Sequence, residues 1–292
     1  MPLLSQTLER LVAAVETNTS LDAPADRLAK LTGAIPAGPL KDTLSGTEVG
    51  HPLHPVLVTV PIGSVASAIV LDLTGGDRDA SRRLIGLGIL SSLPAAATGL
   101  SDWSDTEGAE RRVGLVHAAS NTVGLALLTA SWLSRRGGGG GRLLALAGFG
   151  VMGAGGWLGG HLSYALGVGV DTTAFMSPPT DWTDVCADTD LLEGQPQSFT
   201  VRDMPVLLVR NEGRVRALGD RCTHRGAPLH EGPIVDGCIE CPWHASRFSL
   251  DDGAVVRGPA TRPQPAFEVQ VSGGRVRVRR AEERALRLNP AS

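Results

Sequence analysis

Charge is unevenly spread along this chain. No Lys, Arg, Asp or Glu occurs between Glu48 and Asp72, within 84–101, within 113–134 or within 143–170. A bilayer core takes about twenty apolar residues in a helix. Soluble helices of that length normally keep one charged face, and these stretches have none. The pattern predicts four membrane-spanning helices, at about 54–72, 84–101, 113–134 and 143–164. Residues 1–45 are polar and charged, which does not fit a signal peptide. Leu4, Leu8, Leu11 and Val15 share a helical face there, so a short amphipathic helix is expected.

The last third changes period. Phe199-Thr-Val-Arg202, Val206–Val209, Arg214–Leu218, Phe267–Val271 and Arg275–Val278 alternate or run β-branched. Asn211-Glu-Gly213, Asp251-Asp-Gly253 and Ser272-Gly-Gly274 supply turns between them. The expected organisation is multi-domain. A polar segment (1–45) leads into an all-α four-helix transmembrane bundle (46–171). A linker (172–180), an all-β domain (181–281) and a tail (282–292) follow. Averages hide this division: the 292 residues have a net charge of −3 and a pI near 6.2. The basic residues are scattered over strands and loops, so no nucleic-acid partner is expected.

Glycines crowd the fourth span, and Gly155 with Gly159 and Gly156 with Gly160 make spaced small pairs that let helices approach. Trp103, Trp132 and Tyr164 fall near span ends, where interfacial aromatics gather.

Candidate chemistry lies in two clusters, Cys222-Thr-His224 and Cys241-Pro-Trp-His244. Two thiolates and two imidazoles can ligate a [2Fe–2S] cluster, the cysteines on one iron and the histidines on the other. The same ligand types can hold zinc, although zinc motifs more often pair Cys with Cys and His with His. The surrounding CTHRGAPL (222–229), CPWHASRF (241–248) and GPATRP (258–263) resemble the Rieske ferredoxin family. That resemblance implies a β-sandwich with the ligand loops at one tip. It also implies a proline-rich covering loop, here Pro259, Pro263 and Pro265, and Gly226, Trp243 and Ser246 around the cluster.

Departures from the cytochrome bc branch of that family carry information. Ala227 and Trp243 stand where that branch has a cysteine pair, so its disulfide cannot form. Phe248 replaces a tyrosine and lacks its hydroxyl. Fewer donors toward the cluster imply a potential near the low end of the Rieske range, about −150 mV. Ala245 replaces the usual glycine, which asks for a negative φ. Cys186 and Cys238 are expected as plain strand thiols, with a bridge between them as the alternative, and His230 as a surface residue.

Residues 49–171 resemble an uncharacterised four-helix membrane family through Gly50-His-Pro-Leu-His-Pro55, Pro61-Ile-Gly63, Thr98–Trp103 and Gly159-Gly-His161. Following the spans places His51, His54, His117 and His161 at one membrane face. Ionisable residues in membrane helices are functional candidates. A haem (haem b) or metal site would use His117 and His161, with His54 third and His51 beside them. The other reading is helix-end residues satisfied by carbonyls.

Six arginines in loops 74–83 and 135–142 favour those loops as cytoplasmic. The missing disulfide and free thiols favour a reducing compartment for the β domain. The narrower preference is a bacterial plasma-membrane protein with that domain on the cytoplasmic face. The functional expectation is a membrane-anchored one-electron carrier serving a redox protein or quinone in contact with lipid. The alternative is a two-cofactor membrane oxidoreductase. A Rieske oxygenase is not expected.

Overall fold

Length and capping set the helices. A computed structural model of the protein describes residues 3–32, 35–138 and 140–281. The expected tail, 282–292, lies outside the described residues. The helices are α1 (Leu3–Thr17), α2 (Asp22–Thr32), α3 (Pro39–Ser45), α4 (His54–Leu57), α5 (Thr59–Thr74), α6 (Arg78–Ser104), α7 (Gly108–Arg136) and α8 (Arg142–Tyr164). The strands are β1 (Thr183–Ala187), β2 (Gln197–Val201), β3 (Met204–Asn211), β4 (Arg214–Gly219), β5 (Ile234–Val235), β6 (Cys238–Glu240), β7 (Arg247–Ser249), β8 (Val255–Arg257), β9 (Ala266–Ser272) and β10 (Arg275–Arg280). Two compact units result. One holds α1, α2 and α4–α8; the other holds α3 and all the strands.

In the helical unit, α4–α5, α6, α7 and α8 are long and apolar enough to cross a membrane, at 21, 27, 29 and 23 residues. Asp77 starts α6 by accepting from the Asp79 and Ala80 amides, and left-handed Gly75 ends α5. The unit is apolar outside: Val70, Leu73, Leu90, Leu93 and Leu133 are exposed, while Ser64, Asp72, Ser81, Thr98 and Ser131 are buried. That inversion suits lipid as the outer solvent.

α7 and α8 approach through glycine. A Cβ on Gly148 would lie 2.9 Å from the Gly124 carbonyl oxygen. Of the two expected small pairs, Gly155 and Gly159 face α7 at Asn121 and His117, whereas Gly156 meets nothing within 4 Å. The amphipathic α1 packs on α7 through a face shifted from the expected one. Val12 is buried and Leu8 and Val15 are half-buried, while Leu11 is 60% exposed. Trp103 is buried rather than interfacial, donating its indole N–H to the Arg111 carbonyl at 3.0 Å.

The second unit is all-β apart from its leading helix. One antiparallel sheet has the order β1-β10-β9-β4-β3-β2, the other β5-β6-β7-β8. The β3–β4, β5–β6 and β9–β10 hairpins turn on Glu212-Gly213, Asp236-Gly237 and Gly273-Gly274, all with positive φ. That is the two-residue geometry matching strand twist. Leu207, Val209, Leu218, Leu229, Ile239 and Phe248 form the core beneath the ligand loops. The linker residue Thr172 packs along the first loop, its hydroxyl donating to the Cys222 carbonyl at 2.7 Å.

Candidate metal centre

Two loops of the β unit carry the four candidate ligands. The first follows β4 and the second joins β6 to β7. Their backbones repeat one frame. The Cys222 carbonyl accepts from the Gly226 amide at 2.8 Å, and the Cys222 amide donates to the Ala227 carbonyl at 2.9 Å. The Cys241 carbonyl accepts from the Ala245 amide at 3.0 Å, and the Cys241 amide donates to the Ser246 carbonyl at 2.8 Å. Each frame needs a left-handed residue four positions after its cysteine, and Gly226 (φ 79°) and Ala245 (φ 58°) fill that place. Ala245 therefore does not take the negative φ expected of it. The frame overrides its local preference, and Arg257 holds its carbonyl with two donors, at 2.7 and 3.0 Å.

A third loop, between β8 and β9, ties the other two together. Gln264 donates to the Gly219 and Arg221 carbonyls at 2.7 and 2.6 Å and accepts from the Thr223 amide at 3.2 Å. Ser246 Oγ accepts from the Ala260 amide at 3.0 Å. Phe248 is fully buried and offers no donor.

The frame brings the candidate ligands into two pairs. Cys222 and Cys241 are buried, and their sulfurs share a hydrogen bond. The His224 and His244 rings are half-buried above them, with centroids 5.0 Å apart at 85°. The shared bond, then burial, pushes the Cys222 thiol well up. The same bond, with the His244 and Trp243 amides, brings Cys241 down to about 7. The His224 and Arg225 amides aim at the Cys222 sulfur. Burial first, then the charges of His244, Arg225 and Lys41, keeps His224 neutral, the ligating form of imidazole. Amide donors around two adjacent sulfurs, with two imidazoles beside them, fit a binuclear iron–sulfur group. A single zinc ion draws all four ligands to one tetrahedral point; among the described residues no three His, Cys, Asp or Glu side chains gather that way.

The Rieske [2Fe-2S] domain matches residues 181–269. The ferredoxin component of the alkene monooxygenase system of Xanthobacter autotrophicus is 38% identical over 97 residues, 33% of this chain and 79% of that protein. The chain belongs to the Rieske [2Fe–2S] family. Apoptosis-inducing factor 3 of Homo sapiens is 36% identical over 104 residues, 36% of this chain, which spans only 17% of that protein's length. Among solved structures, the ferredoxin of carbazole 1,9a-dioxygenase from Nocardioides aromaticivorans IC177 is 31% identical, covering 35% of this chain and 100% of that one at a TM-score of 0.33. Residues 50–172 match the family described as predicted membrane protein (DUF2231). The Rieske domain implies a [2Fe–2S] cluster.

Three groups around the Rieske loops differ from or exceed the sequence reading. His230 is no free surface residue: its Nδ1 lies 2.7 Å from buried Asp220 Oδ2, and its amide donates to Oδ1 at 2.8 Å. Glu240 accepts from Arg247 and Arg257 at 2.7 and 2.9 Å, bracing the second loop. Cys186 and Cys238 are buried free thiols, as are Cys222 and Cys241. The adjacent Asp220 and His230 dyad has no sequence signature, because its partners are ten residues apart in irregular chain.

The membrane histidines separate. His51 belongs to the β unit and is exposed. His54 and His117 face each other, ring centroids 6.4 Å apart at 79°. His54 Nδ1 donates to the Ala95 carbonyl at 2.8 Å and His117 Nδ1 to the Gly155 carbonyl at 2.6 Å. His161 meets the Glu16 carboxylate at 2.7 Å and stacks on Trp157. The ring neighbour of His117 is thus His54, where the sequence reading put His161 first.

Proposed function

We propose that the protein is a membrane-anchored one-electron carrier. Cys222 and Cys241 hold one iron and His224 and His244 the other. The group, when bound, supplies a single reversible electron. The carrying observation is the twin-loop frame, with two buried sulfurs under four amides and two half-buried imidazoles facing each other. The electron then enters and leaves through the histidine edge, with exposed Trp243 beside it as a contact for a redox protein or quinone. The four apolar helices hold this unit at the bilayer, in contact with lipid, with the Rieske unit on the cytoplasmic face.

The test is full-length protein purified in detergent. A cluster of this type bleaches on dithionite reduction and gives a rhombic electron paramagnetic resonance signal. Its potential should fall near the low end of the family range, about −150 mV. A potential above about +200 mV, the upper part of that range, contradicts the reading. Release of the protein from membranes by carbonate removes the anchoring, and protease protection of the Rieske unit in inverted vesicles removes the cytoplasmic placement.

A second reading adds a metal or haem b at His54 and His117. The observation favouring it is their shared tautomer. Nδ1–H donated to a carbonyl leaves Nε2 as the lone pair, the arrangement of metal-bound imidazoles. A haemochrome band or iron beyond the cluster would support it; neither appearing would leave both rings as packing residues.

A further inference from the structure

The three loops at the ligand end of the Rieske unit carry one sign of charge. Residues 221–229, 241–246 and 258–264 include Arg221, Arg225 and Arg262 but no Asp, Glu or Lys. The carboxylates that flank the two ligand loops are engaged elsewhere. Asp220 is buried against His230, and Glu240 accepts from Arg247 and Arg257.

Contacts within the loops place two of these arginines. Arg221 precedes Cys222, and its carbonyl accepts from Gln264 Nε2 at 2.6 Å. Its Nε leans over the first loop, 3.1 Å from where a Cβ on Gly226 would stand. The Arg262 carbonyl accepts from Thr223 Oγ1 at 2.9 Å, and Thr223 lies between Cys222 and His224 in the chain. Arg221 and Arg262 are both exposed. Among the described residues neither guanidinium has a hydrogen-bond or ion-pair partner. The second loop adds exposed Pro242 and Trp243, the latter 57% exposed and next to His244.

Trp and Arg are the side chains that most often anchor protein partners, while Lys, Asp and Glu are depleted in interfaces. Basic segments that bind lipid headgroups are different, with about four to eight Lys and Arg in a cluster. A positive rim around the ligand edge also sorts partners by charge, since opposite potentials speed encounter and like ones suppress it.

We infer that Arg221 and Arg262, beside Trp243, form a docking rim for a one-electron redox protein with an acidic surface around its own electron-transfer edge. Each guanidinium pairs with partner carboxylates through charge-assisted hydrogen bonds. One electron passes from the reduced protein to the oxidised one, with no bond made or broken and no proton moved. This rests on the Rieske reading above and adds the chemistry of the partner.

The experiment uses full-length wild type, R221Q, R262Q, R221Q/R262Q and R214Q in phosphatidylcholine nanodiscs, with cluster content followed by iron assay. Arg214 is exposed at the opposite end of β4 from the first ligand loop, so R214Q is the control. Dithionite-reduced, desalted protein is mixed with hexacyanoferrate(III), an anion, or hexaammineruthenium(III), a cation, and each takes one electron. With wild type, rising salt should slow the anion and hasten the cation. At low salt R221Q/R262Q should slow the anion about three- to tenfold and hasten the cation, while R214Q changes neither. A labelled polyglutamate peptide, read by fluorescence polarisation, should bind wild type and R214Q but bind R221Q/R262Q at least threefold more weakly. R262Q alone keeps the test readable where a change beside Cys222 lowers cluster content.

The same salt dependence for both probes overturns the inference, as does polyglutamate binding that the arginine variants leave intact. Phosphatidylserine vesicles that bind through the same two arginines more tightly than polyglutamate would assign the rim to lipid, and overturn it too. A wild type without the iron–sulfur signal overturns instead the Rieske reading, and peptide binding, which needs no electron, still reads the rim.

Discussion

Arg135 and Asp72 form a bidentate pair buried among the spans. Nη1 donates to Oδ1 at 2.8 Å and Nη2 to Oδ2 at 2.5 Å, with side chains 6% and 3% exposed. Ser81 joins α6 to it, donating to Asp72 Oδ1 at 2.8 Å. Ser131 accepts from Arg135 Nε and donates to the Gly141 carbonyl, which precedes α8. The pair thus fastens α5, α6, α7 and the start of α8 at one end of the bundle.

Removing one partner leaves a buried charge alone, a loss of roughly 3–5 kcal/mol. D72N and R135Q should each lower the unfolding midpoint in detergent sharply. The double variant should be less destabilised than the sum of the two. R135K should not restore the wild type, since an ammonium cannot make the parallel fork. Additive losses in the double variant would show that the pair is not coupled.

The twin frames of the ligand loops make Ala245 a strained residue. A non-glycine residue in the left-handed region costs about 1–2 kcal/mol. A245G should therefore raise thermal stability and slow cluster loss under chelator, leaving the potential unchanged. A245V should do the reverse, because a β-branched side chain tolerates this region least. Faster cluster loss in A245G would mean that the alanine methyl contributes more by packing than its φ costs.

Most of the architecture was legible. The four long apolar helices showed as charge-free runs, and the Rieske domain showed because two Cys and two His in that order have few other uses. Three features were not. Ala245 reads as a negative-φ residue locally, and only the loop's long-range hydrogen bonds force it over. Leu11 reads as the packed face of α1, but Val12 is buried there because the helix is rotated to meet α7. Nothing local in Asp42 or Thr47 announces their bonds to Gly258 and Ala260, more than 200 residues away. Asp236-Gly237 was a missed hairpin signal that the sequence did contain.

Cys186 and Cys238 should be chemically quiet. Burial first of all pushes both thiols up from the ordinary value, and the thiolate is the reactive form. At pH 8 in the folded protein, alkylation of either should lag far behind a free thiol and rise as pH passes 9. The double variant C186S/C238S should keep its cluster, whereas C222S and C241S should each lose it. Mass spectrometry after iodoacetamide reads the first point, and rapid folded-state labelling of either cysteine would contradict it.

Gly99 and Gly159 seat the two facing imidazoles. A Cβ on Gly99 would lie 2.7 Å from His54 Cε1, and one on Gly159 3.0 Å from His117 Cε1. Ordinarily a helical Gly→Ala change stabilises by about 0.5–1 kcal/mol. Here the added methyl must push a ring off its carbonyl partner, Ala95 or Gly155, and overpacking typically costs about 1–3 kcal/mol. G99A should therefore destabilise the helical unit, and G99A/H54A should recover part of that loss by removing the ring the methyl strikes. G153A is the control, because a Cβ there meets nothing within 4 Å, and it should hold or gain stability. Thermal unfolding in detergent separates the three. A stabilised G99A would mean that His54 swings aside freely, and that its bond to Ala95 contributes little to the bundle.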